Sequence, residues 1–442
     1  MSLPFPEHPL RGAITAEFHA RNFEPLRAPA RIAHIAYLSG ERGSGLNIRH
    51  LERLLEHFGA PGPVGPGEQF FADIGELRLR WQRHTEFVTY SFSREGAYQR
   101  PFSSSLLETI PEDWLSSLPG KVVTAVLLAL EPCDAPERDS AELCQLFDGN
   151  TVIGAEVAGG AGIAWSDMRE HADGFDRILV RDRCLSNAQA GRLVKRILDV
   201  NAYRAMALLG LPAARKAAAT LSDAEKRLAD VAKRMTAGND HLKQVQSPDT
   251  PPPERLLLAE LAALAAEVEA VAAKTATRFD ASEAYFQVVL QRLEQLRQQR
   301  IEGLQTFTEF LQARLAPGVA TCLAAAQRQQ QLAERAARIT GLLRARVELQ
   351  LQEQNRSLLD SMDRRAKLQL RLQQTVEGLS VVAIGYYGVG LVGYLLKGLE
   401  KAGWPIDSTL GVAIALPLVI GATWFGLHWT KRKVLHDKDQ AA

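Results

Sequence analysis

The chain has 442 residues, with 52 Lys and Arg against 51 Asp and Glu, and a formal net charge of +1. That balance excludes a broad electrostatic case for nucleic-acid binding, and the length predicts two soluble modules plus a further segment rather than one domain. Four cysteines, Cys133, Cys144, Cys184 and Cys322, form neither the close pairs of a zinc site nor a secreted disulfide framework, so a reducing compartment is expected.

In chain order, residues 1–26 contain Pro4, Pro6, Pro9 and Pro25 and no apolar core segment, which predicts no secretory signal. Strands are predicted at 30–38, 70–79, 86–92, 121–130, 151–157, 161–168 and 175–180, from β-branched or alternating residues bounded by Gly, Pro or Asp. Helical apolar spacing marks 46–58 and 137–147. The Gly-rich and Pro-rich stretch 61–67 reads as a loop, and Asp173-Gly174 as the turn of a hairpin. Residues 1–185 are thus predicted to form an α+β domain with a mixed central sheet.

From 186 to 316 the texture changes to Ala, Leu, Gln, Glu and Arg. Leu257, Leu261, Leu264, Val268 and Val271 alternate steps of four and three, the seam of a coiled-coil-like helix, and Leu221, Leu228 and Met235 recur every seven residues before it. The prolines at 248 and 251–253 separate the two helices, which are expected to fold back as antiparallel hairpins. Pro317 suits the first position of a helix. With no proline from there to Leu396, one 80-residue helix is predicted, comprising a stalk over 317–378 and an apolar run over 379–396. Leu343, Val347, Leu351, Leu358 and Met362 mark an incomplete apolar stripe on the stalk, which suggests self-association.

The apolar runs 379–396 and 410–429 hold 18 and 20 residues without Asp, Glu, Lys or Arg. At 1.5 Å per residue each is long enough to cross a hydrocarbon core of about 30 Å. A transmembrane hairpin is predicted, with a short external loop at 397–409 and a basic tail at 430–442. Arg364, Arg365, Lys367 and Arg371 before it and Lys431, Arg432 and Lys433 after it predict both termini on the cytoplasmic side of the membrane. In the first run, Ile384, Tyr387, Leu391 and Tyr394 line one stripe, while Gly385, Gly388, Gly390 and Gly393 spread over much of the rest. These glycines are candidates for close helix packing, with a narrow pore lined by glycine carbonyls and Tyr hydroxyls as the alternative.

Chemistry-bearing motifs are sparse. Glu17 and His19 lie two apart, so on a strand they share a face with Arg21; with His8 they are candidates to hold a ligand or metal. Arg11, Arg21 and Arg31 are candidates for anion binding, and structural hydrogen bonding is the competing role for the whole set. His34, His50, His57 and His84 read as surface or satisfied core residues. No Gly-rich nucleotide loop, nucleophile elbow or zinc helix is present, and no nucleophile can be paired with a base, so no enzymatic activity and no cofactor are expected.

The segments His8-Pro9-Leu10-Arg11, Glu17-Phe18-His19-Ala20-Arg21 and Ala28-Pro29-Ala30-Arg31 resemble the opening of a bacterial family known as domain of unknown function 3422. Asn22 stands where that pattern has proline. The resemblance implies a membrane-anchored protein with a C-terminal pair of spans and no established activity. The order of parts is also similar to that of the CorA-type divalent-cation channels, but their Gly-Met-Asn motif is missing: the first span ends Gly393-Tyr394-Leu395-Leu396. The expected function is therefore a homo-oligomeric, lipid-embedded interaction or sensing protein. The alternative is a cation channel with a divergent selectivity loop, for which a divalent cation would be the ligand.

Overall fold

In the computed structural model, residues 8–12, 14–15, 23–40, 44–63, 68–102, 106–241, 253–401, 405 and 407–439 are described. The chain divides into two compact units, Met1–Thr340 and Gly341–Ala442.

The first unit is built on nine strands: β1 (Ala30–Leu38), β2 (Gln69–Ile74), β3 (Leu77–Arg83), β4 (Phe87–Glu95), β5 (Lys121–Glu131), β6 (Ile153–Val157), β7 (Gly162–Glu170), β8 (Asp176–Asp182) and β9 (Gln299–Arg300). They form one sheet in the order β2-β3-β4-β1-β5-β8-β7-β6-β9. Only β5 and β8 are parallel neighbours; the other pairs are antiparallel, so the sheet is mixed. The strand predicted at 70–79 is a hairpin, β2 and β3, because Gly75 takes a φ of 62° and turns the chain. Gly174, at φ 81°, closes the β7–β8 hairpin as expected.

Alternation along the strands gives the sheet two faces, and different helices cover each. Helix α1 (Ser44–Phe58) carries Leu51, Leu54 and Leu55 on one stripe. These pack with Tyr37, Leu79, Trp81, Tyr90 and Phe92, joined by Trp114 from the short helix α2 (Glu112–Ser116). Helix α3 (Ser140–Leu146) contributes Leu143 to a smaller cluster with Trp165 and Leu179. The opposite face is covered by α4 (Asn187–Leu208), α6 (Pro253–Gln295) and the first turns of α7 (Phe307–Lys401), through Leu193, Ile197, Val289, Leu293, Phe307 and Leu311.

Helix α4 starts at a capping box in which Gln189 N donates to Ser186 Oγ at 3.3 Å and Ser186 N to Gln189 Oε1 at 2.9 Å. Chain entering β1 crosses this helix at Gly191, where a Cβ would stand 1.8 Å from the Glu24 carbonyl oxygen. No larger residue fits there without moving backbone.

Helices α5 (Leu211–His241), α6 and the start of α7 pack as three. Ion pairs Arg227–Glu267 and Arg234–Glu260 fix α5 and α6 as antiparallel, because the partner number falls as the first rises. Leu257, Leu261, Leu264 and Val268 of the proposed seam are buried, and so are Leu221 and Leu228, whereas Val271 and Met235 are half-buried. Pro253 is the first residue of α6; the other prolines of that break lie outside the described residues.

Helix α7 corrects one expectation. It begins at Phe307 rather than Pro317 and ends at Lys401 rather than Leu396, 95 residues in all. A capping box sets the start: Glu309 N donates to Thr306 Oγ1 at 3.2 Å and Thr306 N to Glu309 Oε2 at 3.1 Å. Pro317 sits inside the helix and costs about 3 kcal/mol there, which burial of Phe307, Leu311, Leu315 and Val319 offsets.

The second unit consists of residues 341–401 of α7 and helix α8 (Ser408–Asp439). Asp407 caps α8, accepting from Thr409 N at 3.0 Å. On the stalk, Leu351, Leu358 and Met362 are exposed in the single chain. Two 18-residue windows, one in α7 and one in Ser408–Gly426, have mean hydropathy 1.8 and are only 6% and 0% buried.

Candidate functional site

The sheet brings together a polar cluster where it meets α4. His34 on β1 lies opposite Ser91 on β4, and Ser91 lies opposite Arg80 on β3. One row across three strands therefore presents an imidazole, a hydroxyl and a guanidinium to α4. From that helix, Lys195 and Asp199, one turn apart, face back. Lys195 Nζ is 2.9 Å from Asp199 Oδ2, and Arg292 Nε of α6 is 3.2 Å from the same oxygen.

His34 Nδ1 is 2.8 Å from Ser91 Oγ, and its Nε2 is buried without a hydrogen-bond partner among the described residues. His84 stacks on Phe87 at 4.0 Å between centroids, with Nδ1 3.2 Å from the Tyr203 hydroxyl. Burial, reinforced for His34 by Arg80, pushes these imidazoles down to about 4 and about 3. Both are neutral near pH 7. Burial also lowers Lys195 and Arg80, each held back in part by Asp199. Burial alone would raise the Asp199 carboxyl, but Lys195, Arg292 and Arg80 overcome that and hold it below the usual carboxylate range. Alongside, Arg278 pairs with Glu86 at 2.7 Å, and Tyr285 donates to the same carboxylate at 3.3 Å.

The cluster gathers three cations around the Asp199 carboxylate, with Glu24 also acting on Arg80, and its cavity is only about 10 Å³, room for about one water. It cannot admit an organic substrate. What it can do is bind α4 and α6 to the sheet through charge, in a form that depends on two imidazoles staying neutral.

A third neutral histidine lies on the opposite face. His50 is fully buried, with Nε2–H donating to the Trp114 carbonyl at 3.1 Å and Nδ1 accepting from the Tyr90 hydroxyl at 3.0 Å. Burial pushes it down to about 4. A separate tie joins α3 to the β7–β8 hairpin: His171 stands 2.8 Å from Asp148 and 3.0 Å from Asp167, beside a bulge where Met168 takes a φ of 54°.

The residues singled out from the sequence occupy other places. Glu17, His19 and Arg21 lie outside the described residues. His8 and Arg11 are exposed, with Leu10 N donating to His8 Nδ1 at 3.2 Å. Arg31 is buried on the sheet with its guanidinium 5.7 Å from the Tyr98 ring centre. Among the described residues, no group of three His, Cys, Asp or Glu side chains is placed to hold a metal.

In the second unit, Gly388, Gly385 and Gly393 face α8. A Cβ on Gly388 would meet Val419 at 2.8 Å, one on Gly393 would meet Val412 at 3.4 Å and one on Gly385 would meet Ile420 at 3.7 Å. Gly390 has open space beside it, and Tyr387 and Tyr394 are exposed.

Sequence reasoning missed the cluster itself. His34 and His84 read one at a time as surface or satisfied core residues, and the signal that could have found it was Lys195 and Asp199 at i and i+4 on a helix that also carries Leu193, Ile197 and Leu198 into the core.

A mixed nine-stranded sheet layered by helices, followed by long helices and an apolar C-terminal pair, defines the class of the protein. The family model described as Protein of unknown function (DUF3422) matches residues 6–434, and the chain belongs to that family. No curated protein and no solved structure matches it significantly.

Proposed function

We propose that the protein is a non-enzymatic, membrane-anchored binding or sensing protein, held in a bacterial inner membrane by α8 and the end of α7, with both termini and the sheet unit in the cytosol. The observation that carries this reading is the near absence of burial in the two apolar windows, 6% and 0%. Exposed to water, such surface would be costly; in lipid it is matched to its solvent. Basic residues flank the pair on the side assigned to the cytosol.

Self-association is the expected fate of the stalk, since Leu351, Leu358 and Met362 leave apolar side chains exposed along one helix. Close packing of α8 on Gly385, Gly388 and Gly393 supports an anchor over a pore, because the chain's own second helix covers those glycines.

A variant lacking residues 379–442 tests the reading. It should leave the membrane fraction and remain folded, with the circular dichroism and urea transition of the sheet unit. Images of the detergent-solubilised full chain should show a closed oligomer without an axial path. A ring of first-span helices around an open axis would favour a channel instead, and a monomer would remove the assembly claim.

A further inference from the structure

A cavity that can take a ligand lies elsewhere on the first unit. It measures about 320 Å³ and opens between the first turns of α4, the end of α6 and the β6–β7 turn. Arg192, Arg196 and Arg297 line it with Gln189, Gln295 and Leu193, and among the described residues no carboxylate is part of the lining.

The arginines are held in place by structure. Arg196 donates to the Gln295 carbonyl at 3.2 Å, and Arg297 donates to the Ala158 carbonyl at 3.0 Å. Arg192 lies 4.7 Å from the centre of the Phe23 ring. The two amide side chains are also oriented: Gln189 Oε1 accepts from Ser186 N, and Gln295 Oε1 accepts from Arg292 at 3.1 Å. Each amide is thereby left with its N–H₂ for a ligand.

The backbone around the cavity is strained. Arg297 takes a φ of 47° and Ala158 a φ of 56°, left-handed values that cost a residue with a side chain about 1 kcal/mol or more. The two loops fix each other, since Ala158 N donates to the Leu296 carbonyl at 2.8 Å and Gly159 N to the Arg297 carbonyl at 3.3 Å. This interlock places the Arg297 guanidinium over Gly159, where a Cβ would lie 3.7 Å from Cζ.

If carbonyl capping were the whole role of Arg196 and Arg297, one donor from each would suffice. A guanidinium has five, and collecting three of them without a carboxylate is repulsive in the empty pocket. Burial and the neighbouring Arg192, Arg292 and Arg297 lower Arg196, Asp199 offsets only part of this, and an added anion would act in the same direction as Asp199.

We infer that this pocket binds a small phosphate-bearing anion carrying two or more negative charges, gripped by Arg192, Arg196 and Arg297. The charge selects a dianion or higher, planar guanidinium groups match phosphate oxygens in pairs, and the volume suits a small molecule. Leu193 offers an apolar floor for whatever carries the phosphate. The inference deepens the binding half of the proposed function, and its failure would leave membrane attachment and assembly standing.

The test is calorimetric titration of the detergent-solubilised full chain with pyrophosphate, inorganic phosphate and glycerol 3-phosphate, and with sulfate at matched ionic strength. Saturable binding of pyrophosphate or glycerol 3-phosphate, tighter than that of inorganic phosphate or sulfate, is expected. Preference for pyrophosphate would assign a soluble ligand, and preference for glycerol 3-phosphate a lipid headgroup. Arg192→Gln and Arg196→Gln should each weaken binding by about tenfold or more. Arg297→Gly is the variant that guards against misfolding, since glycine accepts the left-handed φ: it should keep its melting temperature and lose the ligand. No saturable binding of any probe, sulfate binding as tight as pyrophosphate, or unchanged affinity in all three variants would overturn the site.

Discussion

Lowering the pH from 7 to 5 is expected to remove about 5 kcal/mol from the stability of the sheet unit, through three histidines that must give up burial or charge. His34 and His50 are pushed down to about 4 and His84 to about 3, while the same residues titrate near 6.5 in the unfolded chain. Between those limits the unfolded state binds more protons, so stability is fully present above pH 6.5 and falls with pH until the folded values are reached. At pH 5 each histidine accounts for about 2 kcal/mol.

The groups facing them agree with that sign. His34 and His84 look onto Arg80 and Lys195, which oppose a third cation, and only Asp199 favours one. His50 donates through Nε2 and accepts through Nδ1, so protonation would cost the bond from Tyr90 as well as the burial. Urea titrations followed by tryptophan fluorescence, with Trp81, Trp114 and Trp165 all buried, would read the effect. A midpoint that falls steeply between pH 6.5 and 5 is expected, with a shallower slope in His34→Gln and His84→Gln. Equal midpoints at pH 7 and 5 would mean that the imbalance in proton binding does not exist.

The second large effect belongs to Asp199. Its carboxylate holds Lys195 and Arg292 together between α4, α6 and the sheet, and removing it leaves two cations mostly out of water. Asp199→Ala should destabilise the unit by about 3–5 kcal/mol, the usual result of breaking a buried pair from one side. Replacing both i and i+4 partners, Lys195→Met with Asp199→Leu, should cost less than Asp199→Ala alone, because one of the two stranded charges disappears with its desolvation and only Arg292 is left without the carboxylate. This effect differs from the histidine one in its pH dependence. The Asp199 carboxyl is depressed, so its contribution is complete above about pH 4 and is lost only as pH falls through the lower folded value. Asp199→Ala should therefore cost the same at pH 5 as at pH 7. A double variant less stable than the single one would show that the charges add net stability.

Most of the fold was legible because its signals are local. Alternation and flanking Gly or Asp located β1 and β4 to β8 within a few residues, and Leu51, Leu54 and Leu55 declared α1. Where a local rule competed with another, the wrong one was easy to choose. Pro317 suits a first helical position, but Thr306-Phe307-Thr308-Glu309 is a capping box ten residues earlier, and apolar burial along 307–319 outweighs a proline in the helix interior. Gly75 turns what reads as one continuous strand into a hairpin, and the two-residue β9 has no periodicity to detect.

The sites were far less legible. His34, Arg80 and Lys195 are 46 and 115 positions apart in sequence, and only strand register and helix docking collect them. The same holds for Arg192 and Arg297, which come together because the β6–β7 turn locks onto the end of α6. Clusters of this kind carry no spacing rule. The N-terminal His and Glu motif, which does have a spacing, lies outside the described residues.

Attachment runs, on this proposal, through the apolar pair at 379–396 and 410–429. It is tested most directly by washing membranes that contain the full chain with alkaline carbonate and floating them on a density gradient. The full chain should rise with the lipid, and the variant lacking 379–442 should not. Release of the full chain into the wash would contradict it.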